Sequence, residues 1–160
     1  MFSFWPAGKR QEANATAPVV ATAMHRAGGP LREIGSSRWE FSLPPLKGYL
    51  IRVQGWQFPD RAEFISLTGI TIDRDWFERE MALLLLEEND RLRHGSLRLI
   101  ETRNGMELAL GCLCPLPLYT EAALSRTVSE LTRETSRVIQ KLLSMEFIYP
   151  RTDDEQSSSR

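Results

Sequence analysis

The chain has 160 residues, 42% of them hydrophobic, with 20 Lys and Arg against 21 Asp and Glu, a formal net charge of -1. This length suits one ordinary domain with its own core, and the even charge offers no basic stripe for nucleic acid or for a membrane surface. No apolar run approaches the roughly 20 residues that a membrane helix needs.

The first 30 residues are predicted to form a flexible tail before a single domain over residues 31–149. Ala, Thr, Pro, Gly and Asn dominate this tail, and the Gly-Gly-Pro sequence at residues 28–30 is a strong break. Residues 19–26 have only a weak helical pattern. The Ser-rich, acidic residues 150–160 are predicted to form a second, disordered tail.

The extreme N-terminus carries three aromatic side chains, Phe2, Phe4 and Trp5. Because this tip is more apolar than a solvated tail should be, the three residues are candidates for a contact with a partner or with a second copy of the chain. The alternative interpretation is that the tip folds back on its own domain or is frayed.

Three strands joined by short turns are predicted between residues 38 and 70. Apolar and polar residues alternate over 39–43 and over 49–56, and a third run covers 64–70. Asp60 suits the turn between the last two runs. These strands are predicted to form an antiparallel meander with one face on a core.

A helix is predicted from Asp73, a suitable N-cap residue, to the His-Gly pair at residues 94–95. Its predicted buried face consists of Trp76, Phe77, Met81, Leu84 and Leu85. Leu83 and Leu86 widen this apolar stripe, so the helix is predicted to be covered on more than one side.

A hairpin and a long helix complete the predicted domain. Strands over 97–102 and 106–113 flank Asn104-Gly105, a strong hairpin signal because both residues accept positive φ. Thr120 is predicted to cap the last helix. The apolar stripe of that helix follows Leu124, Val128, Leu131, Thr135, Val138, Leu142 and Met145. The sequence thus predicts an α+β fold in which two main helices cover an antiparallel sheet, a meander plus a hairpin.

The chain contains no recognisable catalytic pattern, because Gly-x-Ser-x-Gly and the phosphate-binding glycine patterns are absent. Glu87 and Glu88 are interpreted as part of a solvated helix face. Cys112 and Cys114 share one face of a strand and cannot join distant segments, which indicates a reducing compartment, the cytoplasm. They are interpreted as small apolar residues, too few for a metal site. A small thiol or redox enzyme that uses this pair is an alternative hypothesis.

Large aromatic side chains in the meander are the candidates for a binding surface, because such residues dominate interfaces as well as cores. The predicted partner-binding residues of the domain are Trp39, Phe41, Tyr49, Ile51 and Trp56.

Two stretches carry a resemblance to a known family. LLLLEEN at residues 83–89 ends a helix in an asparagine before a strand pair. The hairpin then leads into TEAAL at residues 120–124, a helix opened by a threonine and a glutamate. From about Trp39 to Met145 the chain therefore resembles the YbjN-domain and type III secretion chaperone-like group. That group normally begins with an amphipathic helix, which residues 11–28 form only weakly.

The resemblance implies a sandwich of helices on an antiparallel sheet, usually dimeric, that holds an extended segment of another protein against apolar patches without nucleotide. We therefore predict a non-enzymatic, chaperone-like or adaptor protein without a cofactor, which binds another protein and forms a homodimer. A structural subunit of a larger complex, anchored by the aromatic N-terminus, is the other alternative.

Overall fold

The computed structural model describes residues 18–72, 79–103 and 105–144. The chain order of the elements is α1 (Val19–Gly28), β1 (Arg32–Gly35), β2 (Arg38–Ser42), β3 (Arg52–Gln57), β4 (Arg61–Ile72), α2 (Arg79–Arg91), β5 (Ser96–Thr102), β6 (Gly105–Pro115) and α3 (Glu121–Ser144). A short 3-10 turn, Leu116–Leu118, joins β6 to α3.

Within the described residues, six strands form one antiparallel sheet in the order β1-β2-β3-β4-β6-β5. The first four strands are a meander, and β6 joins this meander to the β5–β6 hairpin. The predicted meander and hairpin are confirmed. Strand β1 is an addition that the sequence does not predict, because its four residues show no apolar alternation.

One face of the sheet, called the covered face, packs against α1 and α3. Phe64 and Val53 of the central strands are fully buried there. The apolar stripe of α3 lies on β4 and β6, and the Thr135 hydroxyl inside the stripe donates to the Leu131 carbonyl at 2.7 Å. Thr120 Oγ1 accepts the Ala123 N–H, which confirms the predicted cap.

Helix α1 belongs to this core, so the predicted tail boundary at residue 30 is wrong. Val20, Ala23 and Met24 are fully buried, and the helix lies on β2, β3 and α3. A Cβ atom on Gly55 of β3 would lie 2.3 Å from Met24 Sδ, so the glycine lets the helix approach the strand.

Several predicted features lie outside the described residues. These are the aromatic tip with Phe2, Phe4 and Trp5, the helix start with Asp73, Trp76 and Phe77, the turn residue Asn104, Met145 and the C-terminal tail.

The close approach of α1 can be tested by Gly55→Ala. We expect the free energy of unfolding to fall by about 1–3 kcal/mol, because the new methyl group overlaps the Met24 sulfur and forces α1 outwards. Urea unfolding measures this change. Gly35→Ala is the matched control, since its Cβ would meet nothing nearer than 3.9 Å. Equal effects of the two substitutions would contradict this account of α1.

Candidate functional site

Four of the five aromatic and aliphatic residues predicted to bind a partner are buried. Trp39, Phe41, Tyr49 and Ile51 are each at most 8% exposed and belong to the core cluster. The prediction that they form an open contact surface is therefore wrong for the isolated chain. For Phe41 the physical reason is α1, which lies on β2 and ends against the Phe41 ring at Gly28. Trp56 is half-buried and lies on the opposite face of the sheet.

That opposite face, called the outer face, is defined by the side chains that alternate with the covered ones. One row across the strands is Arg38, Trp56, Glu63 and Leu113. The next is Arg32, Glu40, Gln54, Ile65, Gly111 and Ser96. A third is Ser42, Arg52, Leu67, Ala109 and Arg98. None of the three described helices packs on this face.

A hydrogen-bonded network holds the centre of the outer face. Glu40 accepts from Arg32 at 2.5 Å and from the Gln54 amide at 2.6 Å. Burial alone would raise the pKa of Glu40, but these two hydrogen bonds lower it below the usual carboxyl value. The Arg38 guanidinium donates to Gln54 at 2.6 Å and lies 4.5 Å from the centre of the Trp56 ring.

A groove of about 370 Å³ runs between α2 and β5. Its lining is mostly apolar and consists of Ala82, Leu85, Leu86, Asn89, Leu97, Arg98, Leu99 and Leu108. Leu86 is 64% exposed and Leu83, one turn earlier, is 50% exposed. The prediction that these two leucines are covered is wrong for the isolated chain, whereas Met81, Leu84 and Leu85 are buried as predicted.

The groove lies beside an edge of the sheet, because β5 is the last strand in the described order. The Leu97 N–H donates to Asn89 Oδ1 of α2 at 2.8 Å, so it points away from β6. Backbone groups alternate in direction along an antiparallel strand, so those of Leu99 point the same way. The groove thus combines apolar side chains with an outward-facing backbone.

A buried carboxylate fixes α2, which forms one wall of this groove. Glu88 is fully buried and accepts from Arg137 Nη1 and Arg91 Nη1, each at 2.8 Å, and from Lys141. The interpretation of Glu88 as a solvated residue is therefore wrong. Burial alone would raise its pKa, but the hydrogen bonds from Lys141 and Arg137 on α3 lower it, so the carboxylate remains charged.

Cys112 and Cys114 point to the covered face, where Cys114 is buried and Cys112 is half-buried. The interaction with the Cys114 thiol, together with burial, raises the pKa of Cys112, and the same interaction lowers the pKa of Cys114. A protonated thiol is a poor nucleophile, so the raised pKa gives no sign that Cys112 is activated.

No metal site and no membrane span are found in the described part of the chain. Among the described residues, no group of three or more His, Cys, Asp or Glu side chains is placed to hold a metal ion. None of the helices in residues 18–72, 79–103 and 105–144 is long and apolar enough to cross a membrane.

The chain matches no protein-family description, and no curated protein sequence matches it. Its fold is similar to a chain in the crystal structure of the ExsC-ExsE complex, with a TM-score of 0.50 and 15% sequence identity. The alignment covers 78% of this chain and 90% of the other. At this identity the similarity concerns the fold alone, and the predicted α+β fold with helices on an antiparallel sheet is confirmed.

The role of Glu88 can be tested by Glu88→Gln. We expect the free energy of unfolding to fall by about 3 kcal/mol at neutral pH, because the cations of α3 lose their buried counter-ion. Since the folded-state pKa of Glu88 is lowered, its contribution is complete above the usual carboxyl pKa and is lost as the pH falls through the folded-state value. Urea unfolding at several pH values measures both effects.

The exposed neighbour provides the control for this substitution. Glu87→Gln should change the free energy of unfolding by less than about 0.5 kcal/mol. A loss for Glu88→Gln that stays constant down to low pH would show that the charge of Glu88 is not what stabilises the fold.

Proposed function

We propose that the chain is a non-enzymatic, chaperone-like protein-binding module, which holds an extended apolar segment of a partner protein in the groove between α2 and β5. The observation that carries this proposal is the juxtaposition of exposed Leu86 with the outward-facing edge of β5. An extended segment would add backbone hydrogen bonds to β5 and insert alternate side chains between Leu86, Leu97 and Leu99.

The similarity to a chain from a complex of two proteins supports the proposal. The character of the groove supports it too, since its lining is apolar and offers neither a nucleophile nor a cluster of ionisable groups. Membership of the YbjN-domain group and a location in the cytoplasm are parts of the same proposal. The thiol alternative receives no support from half-buried Cys112, whose pKa is raised, and the side chain of Cys114 is buried.

A homodimer belongs to this proposal as well. Leu83 is half-exposed on α2, beside the groove and outside its lining. A second copy that covers Leu83 would remove this apolar side chain from water and leave the groove free for the partner segment.

Site-specific cross-linking tests the groove in cells. A photoreactive residue replaces Leu86 or, as the matched control, Leu118, which is 80% exposed on the turn after β6. We expect position 86 to capture a specific partner segment that position 118 does not, and mass spectrometry identifies this segment. Equal capture at both positions would contradict the groove as the binding site.

A synthetic peptide of the captured segment then gives the affinity. We expect Leu86→Glu to weaken binding at least about tenfold, because a charge replaces an apolar contact, whereas Leu118→Glu changes it less than about twofold. Peptide binding should also slow hydrogen exchange at the Leu99 amide, as strand addition requires. Unchanged hydrogen exchange at the Leu99 amide would exclude strand addition to β5 and restrict the proposed binding to apolar side-chain contacts.

Light scattering on the purified chain tests the homodimer. We expect the mass of two chains for the wild type and of one chain for Leu83→Glu, because the substitution buries a carboxylate in the apolar contact. Leu118→Glu is the control and should keep the mass of two chains. A wild type with the mass of one chain at micromolar concentration would exclude the dimer and leave the groove proposal standing.

A further inference from the structure

Two carboxylates of the outer face, Glu40 and Glu107, are buried, whereas the arginine that pairs with Glu40 is exposed. Glu40 is buried between Arg32 and Gln54, while the Arg32 side chain is 73% exposed. Glu107 is also buried, where it accepts the Gly69 N–H at 2.9 Å and lies 3.5 Å from Arg52. The charge that this face presents outwards is therefore positive.

The outer face also has more cations than anions. Its five arginines are Arg32, Arg38, Arg52, Arg61 and Arg98, and its three carboxylates are Glu40, Glu63 and Glu107. Within the described residues, Arg38 and Arg98 contact no carboxylate, and the buried Nε of Arg38 has no hydrogen-bond partner. These guanidiniums have donors left for another group.

Arg98 lies flat across the sheet instead of extending into solvent. A Cβ atom on Gly111, in the neighbouring strand, would lie 2.8 Å from Arg98 Nε, so the missing side chain makes room for the guanidinium. The cation is thus held near the surface of the sheet at the β5 end, while Arg32 is paired with Glu40 at the β1 end.

Apolar side chains lie on the part of the outer face between these two ends. Trp56 and Ile65 are half-buried, and Leu113 is exposed. The five strand steps from β1 to β5 span about 24 Å, which an extended segment of about seven residues would cross. From this charge and shape complementarity we infer that the outer face binds an extended partner segment with carboxylates at both ends and apolar residues at its centre.

The chemistry favours an acidic peptide over a nucleic acid. A phosphate backbone needs a continuous basic stripe, and here Glu63 interrupts the arginines. Arg61 is already neutralised between Asp60 and Glu63, at 3.2 and 3.0 Å. Separate carboxylates that reach Arg32 and Arg98 avoid this interruption. The surface is distinct from the α2–β5 groove except for the shared Arg98, and its occupancy does not require the groove to be filled.

Fluorescence anisotropy with a labelled peptide tests the inference on the full chain. The probe is an extended peptide of about nine residues with a pair of glutamates at each end and a short apolar centre. The uncharged control is the same peptide with glutamine in place of each glutamate. We expect the Gln peptide to bind at least about tenfold more weakly, and added salt to weaken the acidic peptide.

Substitutions then locate the site. We expect Arg32→Gln with Arg98→Gln to weaken the acidic peptide about tenfold, and Arg98→Gln alone, which breaks no described ion pair, to weaken it about threefold. The matched control is Arg126→Gln with Arg133→Gln, which removes the same charge from exposed positions on α3 and should have less than about a twofold effect. Thermal unfolding checks that each variant is folded.

Three outcomes would overturn the inference. These are equal binding of the acidic and Gln peptides, equal effects of the two arginine pairs, and tighter binding of a single-stranded oligonucleotide than of the acidic peptide at the same face. Leu86→Glu should leave the acidic peptide bound as in the wild type, so failure here is distinguishable from failure of the groove proposal.

Discussion

The ion pairs around Glu88 are the interaction on which the proposed binding groove depends. A buried carboxylate is unfavourable unless cations compensate it, and here Arg137 and Lys141 of α3 supply that compensation. The contact is directional, so it selects one position of α2 along α3. Since α2 forms a wall of the groove, the shape of the groove depends on a charge that the groove itself does not contain.

Much of the architecture can be predicted from the sequence, because most of its elements show one clear hydrophobic periodicity. The alternation in β2 to β4 indicates a sheet, and the stripe of α3 indicates the helix that covers it. Helix α1 has no comparable signal. Its stability comes from contacts of Val20 and Met24 with distant residues such as Gly55, and short helices owe most of their stability to such packing.

The proposed binding surface is less predictable for a related reason. Alternation along β2 and β3 shows which side chains share a face, but it does not show which face a helix covers. Trp39 and Phe41 therefore look like binding residues until α1 is placed over them, whereas Trp56 keeps partial exposure on the other side. The best available signal was the run of four leucines at residues 83–86, because one helix cannot direct all of them to one core.

The hydrogen bond between Asn89 and Leu97 has a consequence for register. With its amide already engaged by the helix, Leu97 cannot donate to an incoming strand, so pairing would have to start two residues further along, at Leu99. A slip of a single residue would turn every inserted side chain to the wrong side. Asn89 on α2 would thus set the register of any peptide backbone that pairs with this edge.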